Sequence, residues 1–453
     1  MKAYKLLKFF PFLSLLLPNI SFGQNDNILF LMENVPSSKN VNIASYDDSI
    51  KFNFSVPLLS GIQTSLNSDF VYDNIIKRKI DNSKFIDPNS FLNSLTNKNE
   101  ISFYSKLNLI RLGFKVKNSY IDLSVDEKIN FDLSTDKGLF EFLIFGNKEY
   151  KNNDKIGEFS SDFLHYREFS VAFIKKLNIK KNFLFVGVKP KYYFGLADIN
   201  INSVLNYKNK DDFSSVGIHL NGNGSVSAPV EIEGNKLDLS NIKSTFKLQE
   251  YILNTDNYGF GIDLGLNYRT PKLKIDFSVI DIGKINWKLN TKNIEYDLSY
   301  NFDGLDISNS IDSIDENYIG FNDLINNTFD SLETSNSLKT SNYNYFKNLK
   351  TKFFLNTSYV ISDKFSLGIL LNSSSNDILK DLNVSIHSSF TYKDIFKFLI
   401  SYNSINKLGL GISTKGGPLQ FYLLSDNVFR TYKIFIFNEL RSANVYLGIN
   451  FIF

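Results

Sequence analysis

Residues 258–269 read Tyr-Gly-Phe-Gly-Ile-Asp-Leu-Gly-Leu-Asn-Tyr-Arg. The even positions, Tyr258, Phe260, Ile262, Leu264, Leu266 and Tyr268, are aromatic or aliphatic, while the odd positions are Gly, Asp, Asn and Arg. Side chains of a strand point alternately to its two faces, so this segment is a strand with one greasy and one polar face. Thr270-Pro271 ends it. Leu273, Ile275, Phe277 and Val279 then alternate with Lys272, Lys274, Asp276 and Ser278, which reads as a second strand after a tight turn.

The same period returns along the chain. Leu382, Val384 and Ile386 alternate with Asn383, Ser385 and His387, and Leu408, Leu410 and Ile412 with Gly409, Gly411 and Ser413. Segments 51–59, 101–116, 120–133, 166–176, 183–196, 353–360 and 365–371 repeat it less cleanly, with Asn, Asp, Gly and Ser clusters of turn type between them. The last residues, Ala443 to Phe453, carry apolar side chains at every odd position and finish on an aromatic. A terminal strand with an exposed apolar face invites edge pairing in a soluble protein. In a closed barrel it pairs on both sides and meets lipid. The expected fold is therefore an all-β transmembrane antiparallel barrel over residues 49–453. At about 10 residues per spanning strand plus turns, the length holds roughly 12 to 16 strands. A large soluble β-sandwich would use the same alternation with its apolar face turned to a core. No Pro/Gly-rich linker divides the chain, and a single sandwich seldom grows this large. The polar face is also rich in Gly, Asn and charge, as a wet lumen would be.

Three places break the alternation with a helical rhythm. Asp87-Pro88 is an N-cap and N1 pair ahead of Phe91, Leu92 and Leu95. Leu139, Phe142, Leu143 and Gly146 mark a second helix. Phe321, Leu324, Ile325, Thr328 and Phe329 mark a third, inside an acidic, Asn/Ser-rich insertion near 301–347. Within a barrel such segments belong in loops or folded into the lumen.

At the amino end, Lys2, Lys5 and Lys8 precede an apolar run from Phe9 to Leu17, then Pro18 and Ser21-Phe22-Gly23. This is signal-peptide grammar over residues 1–23, with cleavage expected near Gly23/Gln24 and export as its consequence. The run is too short to cross a bilayer as a helix. Residues 24–48 precede the first convincing strand and are expected to form a periplasmic tail or a plug in the lumen.

Composition excludes several classes. The chain has 453 residues and no cysteine, so there is no disulfide framework, thiolate metal site or cysteine nucleophile. A hydrophobic fraction of 43 % and a mean hydropathy of -0.15 suit a folded chain, and no run after residue 23 approaches the roughly 20 apolar residues of a spanning helix. The net charge of +3 comes from interleaved Lys and Asp, without a basic stripe for nucleic acid. Aromatics reach 15 %, from Phe and Tyr with a single Trp, as the lipid face and girdles of a barrel require.

A search for chemistry finds little. His165, His219 and His387 are not at metal-ligand spacing, and no nucleophile elbow, P-loop or dinucleotide fingerprint is present. His387 is flanked by Ser385, Ser388 and Ser389, and Asp47-Asp48 and Asp211-Asp212 sit in turn-like contexts. Gly416-Gly417-Pro418 reads as a turn. No catalytic, cofactor-binding or metal-ligating residue is assigned, no cofactor is expected, and the chain is read as no enzyme.

Four segments carry a resemblance: Leu29-Phe30-Leu31-Met32-Glu33-Asn34-Val35-Pro36; Asp281-Ile282-Gly283-Lys284-Ile285-Asn286-Trp287; Gly409 to Val428 through Gly416-Gly417-Pro418; and Ala443 to Phe451. They resemble the amino-terminal signature, the mid-chain strand and turn, the late hairpin and the last strand of an uncharacterised family. It consists of predicted outer-membrane barrels of the Bacteroidota and is titled only as a domain of unknown function. Where its members often carry Asn-Pro-Ala, this chain reads Asn42-Ile43-Ala44. More distantly the family is similar to long-chain fatty-acid transporter barrels and to the shuttle barrel of type IX secretion. That relation implies about 14 strands and an amino-terminal plug, in the bacterial outer membrane. Two functions follow as expectations. One is passive transport of a small or hydrophobic molecule, which an apolar pocket in the lumen would favour and a lumen packed shut by charged pairs would sink. The other is a non-catalytic docking or assembly barrel for secretion or surface attachment. The expected partners are outer-membrane lipid and a small hydrophobic ligand or another envelope protein, with no nucleic acid.

Overall fold

The computed structural model describes residues 26–70, 76–78, 84–145, 154–209, 216–228, 248–302, 337–374, 382–393, 395–403, 405, 407–437 and 442–453. The leader expected over 1–23 and the helix expected at Phe321–Phe329 lie outside the described residues.

Nineteen strand segments stack into fourteen columns. The columns are β1 (Phe52–Ser55 and Ile62–Ser68), β2 (Lys98–Val116), β3 (Ser119–Asp136), β4 (Lys155–Ile179), β5 (Asn182–Asn209), β6 (Val216–Ser227 and Tyr258–Arg269) and β7 (Leu273–Trp287 and Thr291–Phe302). The ring continues with β8 (Ser337–Ser341, Tyr345–Asn348 and Lys352–Ser362), β9 (Phe365–Ser373), β10 (Asn383–Tyr392), β11 (Phe396–Asn403), β12 (Lys407–Gly416), β13 (Leu419–Ser425) and β14 (Ser442–Ile452). Each column is antiparallel to the next. Phe183 to Phe194 of β5 face Arg269 to Tyr258, and Asp198 to Asn209 face Ser227 to Val216, which makes the two segments of β6 collinear.

The sheet closes. Asn53 pairs with Ile452 and Ile62 with Leu447, joining β1 to β14, while Ile62 also pairs with Leu107 of β2. The chain's final strand therefore has a neighbour on both sides, and closure removes the edges an open sheet would leave.

Burial is inverted relative to a soluble protein. On the segment 258–269, Phe260 is 62 % exposed, with Leu266 and Leu264 at 44 % and 40 %, whereas Asp263 and Asn267 are 0 % exposed. The exposed face is the apolar one and the inner face is polar and buried, which suits hydrocarbon outside and protein within. The soluble sandwich, with its apolar face inside, is excluded by this polarity.

The two ends of the barrel differ. At one rim the columns are joined by reversals of two or three residues, from Val116 to Ser119, Ile179 to Asn182, Arg269 to Leu273, Ser362 to Phe365, Tyr392 to Phe396 and Gly416 to Leu419. Gly417, at φ +60°, makes the last of these the turn read from Gly416-Gly417-Pro418. At the other rim lie the helices α2 (Pro88–Ser94), α3 (Lys137–Phe145), α4 (Leu248–Ile252) and α5 (Val428–Phe437). Asp87 caps α2 by accepting from the Ser90 N–H at 3.2 Å, and Pro88 stands in its first turn, as the sequence predicts. The helix over Leu139 and Phe142 is α3, which ends at Phe145.

Candidate functional site in the barrel lumen

The residues before β1 fill the lumen's short-turn half. They form a short helix, α1 (Asn27–Leu31), and a 3-10 turn, Pro36–Asn40, and then descend to Lys51 at the short-turn rim. Ile28, Leu29, Phe30, Leu31, Met32 and Val35 are buried against Ile280, Phe354, Leu370, Leu399, Leu424 and Tyr446 of the surrounding columns. Phe30 stacks on Phe354 with centroids 4.9 Å apart. Polar anchors surround this core. Asp26 pairs with Lys352 at 2.7 Å and accepts from Gln63 at 2.6 Å; the Ile28 N–H donates to Asp426 at 2.8 Å; Asn34 donates to Ser413 at 2.6 Å. Lys397 donates to the Leu31 carbonyl at 3.1 Å, and Arg111 donates to the Pro36 carbonyl and the Asn40 side chain. Glu33 pairs with Arg269 at 3.3 Å and with Lys274.

Inward glycines make room for this segment. A Cβ at Gly187 would lie 2.7 Å from the Ile43 carbonyl oxygen, and one at Gly265 would lie 2.7 Å from the Ala44 nitrogen. Gly187 and Gly265 are paired across β5 and β6, so the Asn42-Ile43-Ala44 stretch lies against the inner face of that pair where only a hydrogen side chain fits. The glycine-rich face, which reads as a wet lumen in the sequence, is a packing surface here.

At mid-height a belt of ten charges, nine of them buried and Asp281 partly so, crosses six consecutive columns. Its cations are Lys106 and Arg111 (β2), Lys128 (β3), and Lys189 and Lys191 (β5). Its carboxylates are Asp122 and Asp126 (β3), Glu168 (β4), Asp263 (β6) and Asp281 (β7). Glu168 is the hub, 2.6 Å from Lys128 and 3.5 Å from both Lys189 and Lys191. Lys191 also reaches Asp281 at 2.6 Å and Asp263 at 2.7 Å. The formal charges cancel, five against five, as burial demands. Asp281 joins through an irregularity. It sits at φ +60° where the β6–β7 register shifts between Ile262 and Leu264, so Ile280 and Asp281 both face inward. Lys189 donates to Asn40 at 3.1 Å, tying the belt to the amino-terminal segment.

Two residues further from the short-turn rim, on the same inward faces, the chemistry changes. Leu164, Tyr166, Tyr193, Ile285, Trp287 and Leu349 form one buried cluster, with Tyr345 packed against it. The Tyr166 and Tyr193 rings meet edge-on at 5.6 Å. The Trp287 Nε1 and the Tyr193 hydroxyl are buried there without hydrogen-bond partners. Unpaired buried donors cost free energy, and each of the two still has a hydrogen to donate.

The histidines are dispersed. His387 faces the lumen with its Nε2 2.8 Å from Asn356, while Ser385 accepts from Asn27 at 3.1 Å instead, so the flanking serines form no nucleophile–base pair with it. His219 pairs with Asp297 at 2.6 Å. His165 joins a constellation the sequence does not reveal: its Nε2 is 2.7 Å from Glu127, its Nδ1 2.5 Å from the Tyr251 hydroxyl, and Arg167 donates to the same Glu127 at 2.7 Å. His165 and Arg167 share one face of β4, but Glu127 comes from β3 and Tyr251 from α4, which no local spacing connects to them. Asp48, placed by the sequence in a turn-like context, stays half-exposed and is held by Lys176 at 2.5 Å and Lys115 at 3.2 Å. Burial works to raise its pKa, but the two ammonium groups prevail and keep it below the ordinary carboxylate range. Asp211-Asp212 lie outside the described residues. Among the described residues no group of three or more His, Asp or Glu is arranged to hold a metal ion.

Comparison with known proteins gives the family. A family model described as a family of unknown function (DUF5723) matches residues 46–426, and the chain belongs to that family. No curated protein matches the sequence. Among solved structures, the chain is similar to the toluene transporter TbuX of Ralstonia pickettii, at 10 % identity and a TM-score of 0.38, covering 92 % of this chain and 94 % of that one. A FadL homologue of Pseudomonas aeruginosa gives the same values. The toluene transporter TodX of Pseudomonas putida gives 8 % identity and a TM-score of 0.33, covering 96 % and 95 %. The barrel itself rests on the strand registers described above.

Proposed function

We propose that this member of the DUF5723 family is an exported outer-membrane barrel that receives a small, largely apolar molecule in the upper lumen. On this reading the leader is removed near Gly23/Gln24, the short-turn rim faces the periplasm, and residues 26–48 act as the plug that closes the path. The reading assigns the chain no catalysis. The observation that carries it is the cluster of Leu164, Tyr166, Tyr193, Ile285, Trp287 and Leu349 above the charged belt, with two unpartnered donors in it. Burying the apolar surface of a guest there would contribute about 25 cal/mol per Å², and an acceptor on the guest would pair with Trp287 Nε1 or the Tyr193 hydroxyl.

Trp287 is the chain's single tryptophan, so its fluorescence reports on this cluster without labelling. A brominated twelve-carbon fatty acid, titrated against the full chain in lipid nanodiscs, is expected to quench it saturably. The unbrominated acid should compete, and Leu349→Asp should abolish the saturable part while heat-modifiable gel mobility persists. Linear, non-competable quenching in the parent protein would remove the transport reading.

One observation favours a second reading. The charged belt and the amino-terminal segment together pack the lower lumen, and a barrel closed in this way suits a non-catalytic docking or assembly role in the envelope. Stable co-purification with one envelope protein, together with absent ligand quenching, would select it.

A further inference from the structure

Five of the six short reversals carry lysine at their tips: Lys117, Lys180 with Lys181, Lys272, Lys364 and Lys393. All six of these side chains are exposed, and none has a carboxylate partner among the described residues. Among the described residues the acidic groups of this rim are few, and Asp394, next to Lys393 in the sequence, lies outside them. Asp48 is taken by Lys115 and Lys176, Asp47 accepts from the Ser49 N–H and hydroxyl, and Asp363 stands beside Lys364. Lys117, Lys180 and Lys393 adopt φ of 54°, 55° and 50°, a left-handed backbone that favours Gly or Asn. A long cationic side chain therefore stands where the turn's own geometry would select a small residue.

The rest of the neighbourhood agrees. Immediately above the tips, the outward faces carry exposed apolar and aromatic side chains, Phe52, Phe173, Ile361, Tyr392, Ile395 and Phe453. Lys364 and Lys393 lie 5.8 and 5.3 Å from the Tyr392 ring centroid, and Lys176 lies 4.2 Å from that of Phe183. Toward the other rim the lysines are matched by acids instead: Lys98 with Glu100, Lys137 with Glu141, Lys155 with Glu158 and Lys350 with Asp132. At the short-turn tips, by contrast, none of the six lysines is matched by a carboxylate among the described residues.

We propose that the short-turn rim is a docking ring for anionic phospholipid headgroups. The tip lysines engage lipid phosphates of the leaflet at that side, and the aromatic belt above them lies at the level of the glycerol backbones. This rests on the membrane-barrel reading, because only an inserted barrel places the ring at headgroup depth. The ring would hold the barrel's vertical position and gather an annulus of negatively charged lipid.

The test uses the full chain in nanodiscs of phosphatidylcholine with a one-tenth share of phosphatidylglycerol. Lipids that remain bound after mild detergent extraction are then counted by native mass spectrometry. The parent protein is expected to retain phosphatidylglycerol several-fold above its share. A K117Q/K180Q/K181Q/K272Q/K364Q/K393Q variant should fall to the bulk ratio, and half-molar salt should weaken retention in the parent. A K98Q/K137Q/K155Q control from the other rim should match the parent. Equal retention by the parent and the tip variant would overturn the proposal, and so would retention at the bulk ratio by the parent, which would leave a protein as the rim's partner. A chain that fails to enter nanodiscs and shows no heat-modifiable mobility would sink the barrel reading and this one with it. Insertion without lipid preference would sink this one alone.

Discussion

Replacing Glu168 by Gln tests the charged belt at its hub. The substitution keeps the shape of the side chain and removes one negative charge from a set of five cations and five carboxylates. Glutamine can still accept from Lys128 through one oxygen. Its amide nitrogen, however, would face Lys189 or Lys191, each 3.5 Å from the carboxylate it replaces, setting donor against donor. Breaking a buried ionic network by removing one partner costs about 3–5 kcal/mol, because the surplus charge stays in place. Lys191 has two further carboxylates within 2.7 Å, so the surplus falls mainly on Lys189, whose other polar contact is Asn40 at 3.1 Å. Pairing the substitution with Lys189→Met restores neutrality and should recover about 2 kcal/mol or more of the loss. The assay is urea unfolding in detergent micelles, followed by Trp287 fluorescence and by the heat-modifiable band. If Glu168→Gln stayed within about 1 kcal/mol of the parent, or if the double variant lost the sum of the two single losses, the belt would not be the coupled structure described here.

Three further outcomes follow from the seating of the amino-terminal segment. Gly265→Val places a Cβ against the Ala44 nitrogen; it should cost about 1–3 kcal/mol of docking and raise steady single-channel conductance, whereas unchanged conductance would show that the segment does not block the path. Phe30→Ala removes a fully buried ring stacked on Phe354 and should cost about 3–5 kcal/mol in the same urea titration, a loss below 1 kcal/mol meaning that the segment is not part of the folded core. The third concerns pH. Burial pushes Asp426 up to about 8, with Asp26 adding to it, against hydrogen bonds from the Ile28 N–H and the Tyr446 hydroxyl. A carboxyl raised in this way supports docking below its ordinary value near 3.8 and loses that contribution as pH rises toward 8. Proteolytic nicking of residues 26–45 should therefore increase between about pH 5 and 8 and level off above it. Asp426→Asn should flatten the profile, and a parent profile already flat would refute the assignment.

How much of this was legible in the sequence depends on the range of the interaction responsible. Alternation on 258–269 and 443–453 is a property of adjacent residues, and it names the lipid face without knowledge of any partner strand. The turn at Gly416-Gly417-Pro418, the Asp87-Pro88 cap and the helix over Leu139 and Phe142 are equally local and appear where the sequence places them. The segment at 281–287 is a partial case: a strand is legible there, but the irregularity at Asp281 that turns two successive side chains inward is not.

Tertiary structure decided what depends on register and closure. The two segments of β6 become one column only because β5 is long enough to pair with both. Glu168 meets Lys128 across 40 positions and Lys191 meets Asp281 across 90, and a one-residue slip in any strand would turn these charges to the lipid face. Local pattern required only that the inner face be polar. Whether that face held water or a packed network was settled when closing the ring brought the belt's columns together around Leu29 to Pro36. The inward glycines show the same division. Their positions are plain in the sequence, but their purpose appears only when a second segment of the chain lies against them, because a missing side chain has meaning only relative to what occupies its space.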